Sequence, residues 1–212
     1  MASSWGEQLN ITLFGESHGP AVGVVVDGVP AGERLDLEAM QDFVARRAPG
    51  RTPWSTARTE GDAFTILSGV YQGQTTGTPL CIVIENRDAR SQDYDERLKL
   101  PRPSHADYTG TVRFDGAADP RGGGHFSGRL TAPLCAAGAI CKQMLKRRSV
   151  EIFARIAELG GVSDITLDIA NPNIEELQTL AAKDLPVLDD GKKEEMVELV
   201  ERVRLQGDSL GG

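Results

Sequence analysis

Three histidines could carry proton chemistry in this chain. They are His18 in Gly15-Glu16-Ser17-His18-Gly19, His105 in Arg102-Pro103-Ser104-His105-Ala106-Asp107-Tyr108, and His125 in Gly122-Gly123-Gly124-His125-Phe126-Ser127-Gly128-Arg129. Imidazole gives or takes a proton near neutral pH at little cost. None of the three sits on an apolar face, so burial as core histidines is the weaker reading. The first segment also matches the G-x-S-x-G pattern of a hydrolase nucleophile elbow, with Ser17 as the nucleophile. An elbow needs a strand, a sharp turn and then a helix. Here Pro20 is followed by Ala-Val-Gly-Val-Val-Val, which favours a strand. A loop presenting His18 and the Ser17 hydroxyl to a ligand fits better than a serine hydrolase; the plainest alternative is a hairpin turn with an incidental histidine.

Asp107 could orient His105 from two residues away, although on a strand the two side chains would diverge. The glycines before His125 precede a predicted helix. Their N–H groups and the helix N-terminus suit an anion, with Arg129 near that end. There is no P-loop lysine and no G-x-G-x-x-G. Residues 1–150 carry 17 acidic and 17 basic side chains, and 14 of those basic residues are arginine. Arginine matches phosphate and carboxylate oxygens as a planar fork.

The elements that must position these groups are read from pattern. Leu9–Phe14 and Ala21–Val26 read as strands around the glycine loop. Asp36 caps a helix through Arg47, with Leu37, Met40, Phe43 and Val44 on one face. Ala63–Gly69 and Leu80–Glu85 read as strands around a polar turn at Gly73–Gly77. Asn86 to Tyr108 reads as a long loop. A helix from Pro133 to Lys146 carries an apolar stripe of Leu134, Ala137, Cys141 and Leu145. Val150–Leu159 is expected to be a strand, and Ile174–Ala182 and Lys192–Arg204 helices, the latter with Met196, Leu199, Val200 and Val203 inward.

Composition sets outer bounds. With 212 residues, 40% hydrophobic, the chain can bury a sizeable core. The net charge of −8 lies wholly in residues 151–212, which carry 14 acidic and 6 basic groups. There is no basic excess to meet a nucleic acid, no apolar run long enough for a membrane span, and no signal-peptide pattern at the N-terminus. Cys81, Cys135 and Cys141 stand in apolar contexts. Buried thiols in a reducing, cytoplasmic setting are expected, with no disulfide and no metal site.

Taken together, the blocks resemble a known family. Gly15-Glu16-Ser17-His18-Gly19, then Ala21–Val24 and Asp27-Gly28-Val29-Pro30, look like the N-terminal signature of chorismate synthase. Arg46–Gly50, Thr56–Glu60, Ser68-Gly69, Gly73–Pro79, Arg102–Thr109 and Arg121–Thr131 resemble later blocks in the same order. The resemblance implies an α/β (α+β) fold, a β-α-β sandwich here incomplete, and a homotetramer. The implied reaction is anti-1,4-elimination of phosphate from 5-enolpyruvylshikimate-3-phosphate to give chorismate. Reduced FMN would be the cofactor, with NADPH as an indirect reductant. By the same resemblance His18 assists the departing phosphate and His105 protonates the reduced flavin. Ser17, Arg47, Arg51 and Arg129 would hold the substrate, and Ser127 and Gly128 would touch FMN together with His105.

Three departures stand out. The family usually has arginine at position 125, and Ser-Ala-Arg-Glu-Thr where Ser127–Thr131 stands here. An arginine frequent four residues after the Pro-Gly proline is replaced by Pro53, with Arg51 nearby. Family members are also much longer, and Gly207–Gly212 resembles a mid-chain motif. The whole of 1–212 is therefore expected to be the N-terminal portion of one domain and inactive alone. The alternative is a truncated, non-catalytic binding or assembly module.

Overall fold

The structure, a computed structural model, describes residues 3–50, 61–87, 100–103 and 105–212. Its contacts divide into two compact units, one running to Val150 and the other covering Glu151–Gly212.

The first unit is built on a five-stranded antiparallel sheet in the order β1-β2-β3-β7-β4. Its strands are β1 (Ser4–Trp5), β2 (Asn10–Gly15), β3 (Ala21–Asp27), β4 (Phe64–Ser68) and β7 (Leu80–Glu85). Alternation decides which face of β3 is buried. Val22, Val24 and Val26 point into the core beside Leu80, Ile82 and Ile84 of β7. On β2, Phe14 pairs with Gly23, and a Cβ on Gly23 would fall 2.3 Å from the Phe14 ring. The missing side chain therefore lets the aromatic ring lie flat across the strand. Between β4 and β7 a short ribbon of β5 (Val70–Tyr71) and β6 (Gln74–Thr75) occupies the predicted polar turn.

Two helices cover the sheet. α1 (Leu37–Ala45) starts where expected, with the Asp36 carboxylate accepting the Ala39 N–H at 3.0 Å. Met40 and Val44 are buried, whereas Leu37 is exposed. α3 (Thr131–Lys146) packs on β3 and β7 and supports α1. Its buried face is Ala132, Pro133, Ala136, Ala137, Ala139 and Ile140, and Leu134 is exposed. This corrects the predicted stripe at Leu134; Ala137 is buried as expected, and Cys141 and Leu145 are half-buried. Ranking residues by size favours the leucines, but a helix lying close against a sheet needs small side chains at the contact.

Among the described residues, the expected loop over 86–108 gives way at its end to a short helix, α2 (Asp107–Arg113). Its Thr109, Gly110, Thr111 and Val112 have low helix propensity and Ala106 offers no side-chain cap, so the sequence carries no helical signature there.

In the second unit, the predicted strand over Val150–Leu159 shrinks to β8 (Glu158–Leu159), paired with β9 (Val162–Ser163) across a Gly160-Gly161 turn. Upstream, Ile156 donates one backbone bond, to Pro186, and builds no ladder. Helices α4 (Ile174–Ala181) and α5 (Asp190–Leu205) form as expected. Leu177, Leu180, Val187 and Met196 are buried in this unit, while Leu199, Val200 and Val203 are half-buried. The fully buried Asp164 carboxylate binds Arg155 at 3.0 Å and the N–H groups of Leu188 and Asp189. Among the described residues, no helix is long and apolar enough to cross a membrane.

Candidate functional site

The Gly15–Gly19 loop joins two antiparallel strands, so the strand–turn–helix geometry of a nucleophile elbow is not formed. Gly15 adopts φ 94°, and a Cβ there would strike the Ala21 carbonyl at 2.3 Å. Ser17 is buried, donates its N–H to the Gly124 carbonyl at 3.1 Å, and has its hydroxyl 3.1 Å from His18 Nδ1. Asn86, just past β7, holds the loop closed. Its amide donates to the carbonyls of Glu16 (3.0 Å) and Gly19 (2.8 Å), and its own N–H donates to Pro20.

Asn86 also accepts from Arg129 Nε at 3.0 Å. Arg129 sits on a 3-10 turn, Gly128–Leu130, that leads directly into α3. It is buried and paired with Asp62, whose carboxylate is fully buried. Arg47, near the end of α1, meets the other oxygen of Asp62 at 2.8 Å. Two of the predicted substrate arginines thus share one buried carboxylate. Arg51, the third, lies outside the described residues.

His105 stands at the start of α2. Its Nδ1 is 2.7 Å from Asp107 Oδ1. The divergence foreseen for a strand does not arise, because the backbone turns into the helix between the two residues. Arg102 grips the same carboxylate with Nε and Nη2, both at 2.8 Å, and donates Nη1 to the Gly122 carbonyl at 3.1 Å. The Arg102 guanidinium, foremost through these hydrogen bonds, holds the Asp107 carboxyl well below the usual carboxylate range.

The glycine run brings the histidines together. Gly122 has φ 68°, and a Cβ on it would lie 2.1 Å from His18 Nδ1 and Cε1. A Cβ on the next residue, Gly123, would lie 3.2 Å from His105 Cε1, 3.3 Å from Nε2 and 3.4 Å from Ser127 Cα. His18 and His105 therefore rest on consecutive glycines. Beside them Asp119 takes Arg121 in a two-point pair. Those bonds hold the Asp119 carboxyl below its ordinary range, and a charge on His18 acts in the same direction.

His125 does something else. Its Nδ1 bonds the Gly15 carbonyl at 2.9 Å and its Nε2 meets Ser3 Oγ at 2.5 Å, so it ties the end of β2 to the glycine run. Ser127 caps the 3-10 turn by accepting the Arg129 N–H at 3.2 Å, and Gly128 is exposed with nothing within 4 Å of an added Cβ. The three cysteines are free and half-buried, and burial pushes each thiol up, which disfavours a reactive thiolate.

Asp62, Asn86 and the Arg102–Asp107 grip are absent from the sequence-level candidates. Asp62 follows a glycine and stands four residues after Arg58, which is a weak signal. Asn86 directly follows an apolar strand, where a loop-closing role has no pattern of its own.

Comparison with known proteins gives a consistent result. The sequence model of the family described as Chorismate synthase matches residues 9–212. The protein named Chorismate synthase from Thermococcus kodakarensis is 44% identical over 207 residues, 98% of this chain and 56% of that one. Its namesake from Pyrobaculum aerophilum is 43% identical over 210 residues, 99% of this chain and 56% of the other. A solved structure titled "Crystal Structure of Chorismate Synthase" aligns with TM-score 0.73 at 27% identity, covering 97% of this chain and 56% of its own. The chain thus spans a little over half the length of the relatives it matches.

Proposed function

This chain belongs to the chorismate synthase family, and from that premise we propose that its first unit supplies proton-transfer histidines for anti-1,4-elimination of phosphate from 5-enolpyruvylshikimate-3-phosphate. The observation that carries this reading is the seating of His18 and His105 on Gly122 and Gly123. Two imidazoles from separate loops meet at one backbone surface, with Ser17, Ser127 and an arginine-rich cluster around them.

The residues fit a flavin. His105 and Ser127 converge on the place where Gly123 lacks a side chain, and the space at Gly128 is open. About a third of the His105 side chain is exposed there, at 32%. Reduced FMN, when bound, supplies electron density to the allylic system without net redox change. The chain's own residues bind and move protons. His18, steadied by Ser17, gives a proton to the departing phosphate oxygen, and His105 would hold a proton toward a bound flavin. Arg47 carries one face of the Asp62 pair toward solvent and suits a substrate carboxylate or phosphate; Arg51 would add to it. Arg129, buried beneath, sets Asp62 and Asn86 in place.

The test is calorimetry and an anaerobic absorbance assay on the 212-residue chain with reduced FMN. Binding of 5-enolpyruvylshikimate-3-phosphate, weakened about tenfold by Arg47→Ala, is expected; a loss of that size corresponds to roughly 1.4 kcal/mol. No binding at millimolar substrate, or measurable chorismate formation that His18→Ala leaves at the wild-type rate, would sink the proposal.

A further inference from the structure

We propose that Asp107 is a positioning residue: gripped by Arg102, it fixes His105 as the Nδ1–H tautomer and makes Nε2 the nitrogen that exchanges protons at the glycine run. The role in turnover rests on the lyase reading above; the tautomer does not.

The argument is one of donors and acceptors. Asp107 Oδ1 receives Arg102 Nη2 at 2.8 Å and His105 Nδ1 at 2.7 Å, while Oδ2 receives Arg102 Nε at 2.8 Å and the Arg102 backbone N–H at 3.0 Å. An ionised carboxylate only accepts, and a guanidinium only donates. Nδ1 must therefore carry the hydrogen that faces Oδ1. Arg102 Nη2 lies 3.3 Å from the same Nδ1, but two donors cannot bond each other, so both converge on the carboxylate. The lone pair of a neutral ring is left on Nε2, which lies against Gly123, next to the glycine that seats His18. Arg102 also bonds the Gly122 carbonyl, so one side chain sets the ring, its orienting carboxylate and the glycine run in register. A carboxylate that selects a histidine tautomer and aims its other nitrogen is a general device of proton-transfer sites.

A purely structural role is the competing account, since Asp107 lies in the first turn of α2. The two differ in one spectroscopic signature. The chain has three histidines, so long-range proton–nitrogen correlation spectra of the labelled 212-residue chain at mildly alkaline pH, assigned with His105→Gln, report each tautomer. His105 is expected with a protonated Nδ1 and a bare Nε2. In Asp107→Asn the single amide oxygen is expected in the Oδ2 place, where Arg102 donates twice, through Nε and its backbone N–H; that leaves the NH2 in the Oδ1 place beside Nδ1 and inverts the tautomer. Asp107→Glu is expected to restore it. A wild-type His105 carrying its hydrogen on Nε2, or an Asp107→Asn spectrum unchanged from wild type, overturns the proposal. If Asp107→Asn fails to fold, the wild-type spectrum still decides. No substrate or flavin is needed, so failure of the lyase reading leaves this result standing.

Discussion

His18 occupies the space that a side chain on Gly122 would need, its Nδ1 and Cε1 lying 2.1 Å from that Cβ position. The glycine is required twice, once by the ring and once by its φ of 68°. Gly122→Ala should therefore cost about 1–2 kcal/mol in backbone strain alone, and it should displace the ring. Urea melts measure the first effect. Shifted His18 resonances, with those of His125 unchanged, report the second.

The buried charge cluster is asymmetric. Asp62→Ala leaves Arg129 desolvated without its carboxylate and should destabilise by about 3–5 kcal/mol. Arg47 is half-buried and can turn to water, so Arg47→Ala should cost about 1 kcal/mol or less. Comparable losses for the two variants in chemical denaturation would contradict this ordering.

Asn86→Ala removes both donors that close the Glu16–Gly19 turn and the acceptor for Arg129 Nε. A loss of roughly 2–3 kcal/mol is expected, with faster amide exchange at Gly19. Asn86→Asp keeps an acceptor for Arg129 but sets a carboxylate against two carbonyls, so it should recover little of the loss. Full recovery would mean that the turn closes without the amide.

Acid should unfold the first unit through paired carboxylates. Asp107 and Asp119 have folded-state pKa values below the ordinary range, held there chiefly by Arg102 and Arg121. The unfolded chain then binds more protons below about pH 4, the free aspartate value. The stability these groups contribute is present above that pH and is lost as pH falls toward their folded values. Arg102→Gln returns Asp107 toward the unfolded value, so the urea midpoint of this variant should fall less steeply with pH below 4 than that of wild type. Parallel curves would remove Arg102 from the acid response.

The strand pair around the glycine loop and the capped start of α1 were legible, because alternation and a side-chain cap are local signals. So were the three loop histidines, from their polar settings. What joins them was not. Arg102, Asp107 and His105 come together through the turn into α2, a helix built from poor helix formers. Asp62 acquires its two arginines from separate elements, α1 and the turn before α3, and no sequence spacing encodes that meeting. The one misplaced member of the α3 stripe, Leu134, has the same origin. Alanine contributes little hydrophobicity, yet it governs how closely a helix approaches a sheet.

The ladder between β3 and β7 pairs Ala21 with Glu85 at one end and Val26 with Leu80 at the other. Acting as a ruler, it delivers the start of β3 and the end of β7 to the same edge, where Asn86 meets the loop it closes. Insertions and deletions should therefore be unequally tolerated along this unit. The Gly73–Thr78 turn lies at the far end of the ruler and can vary in length without disturbing the histidines. A single residue gained or lost between Glu85 and Asn86 would put the clasp out of step with its loop.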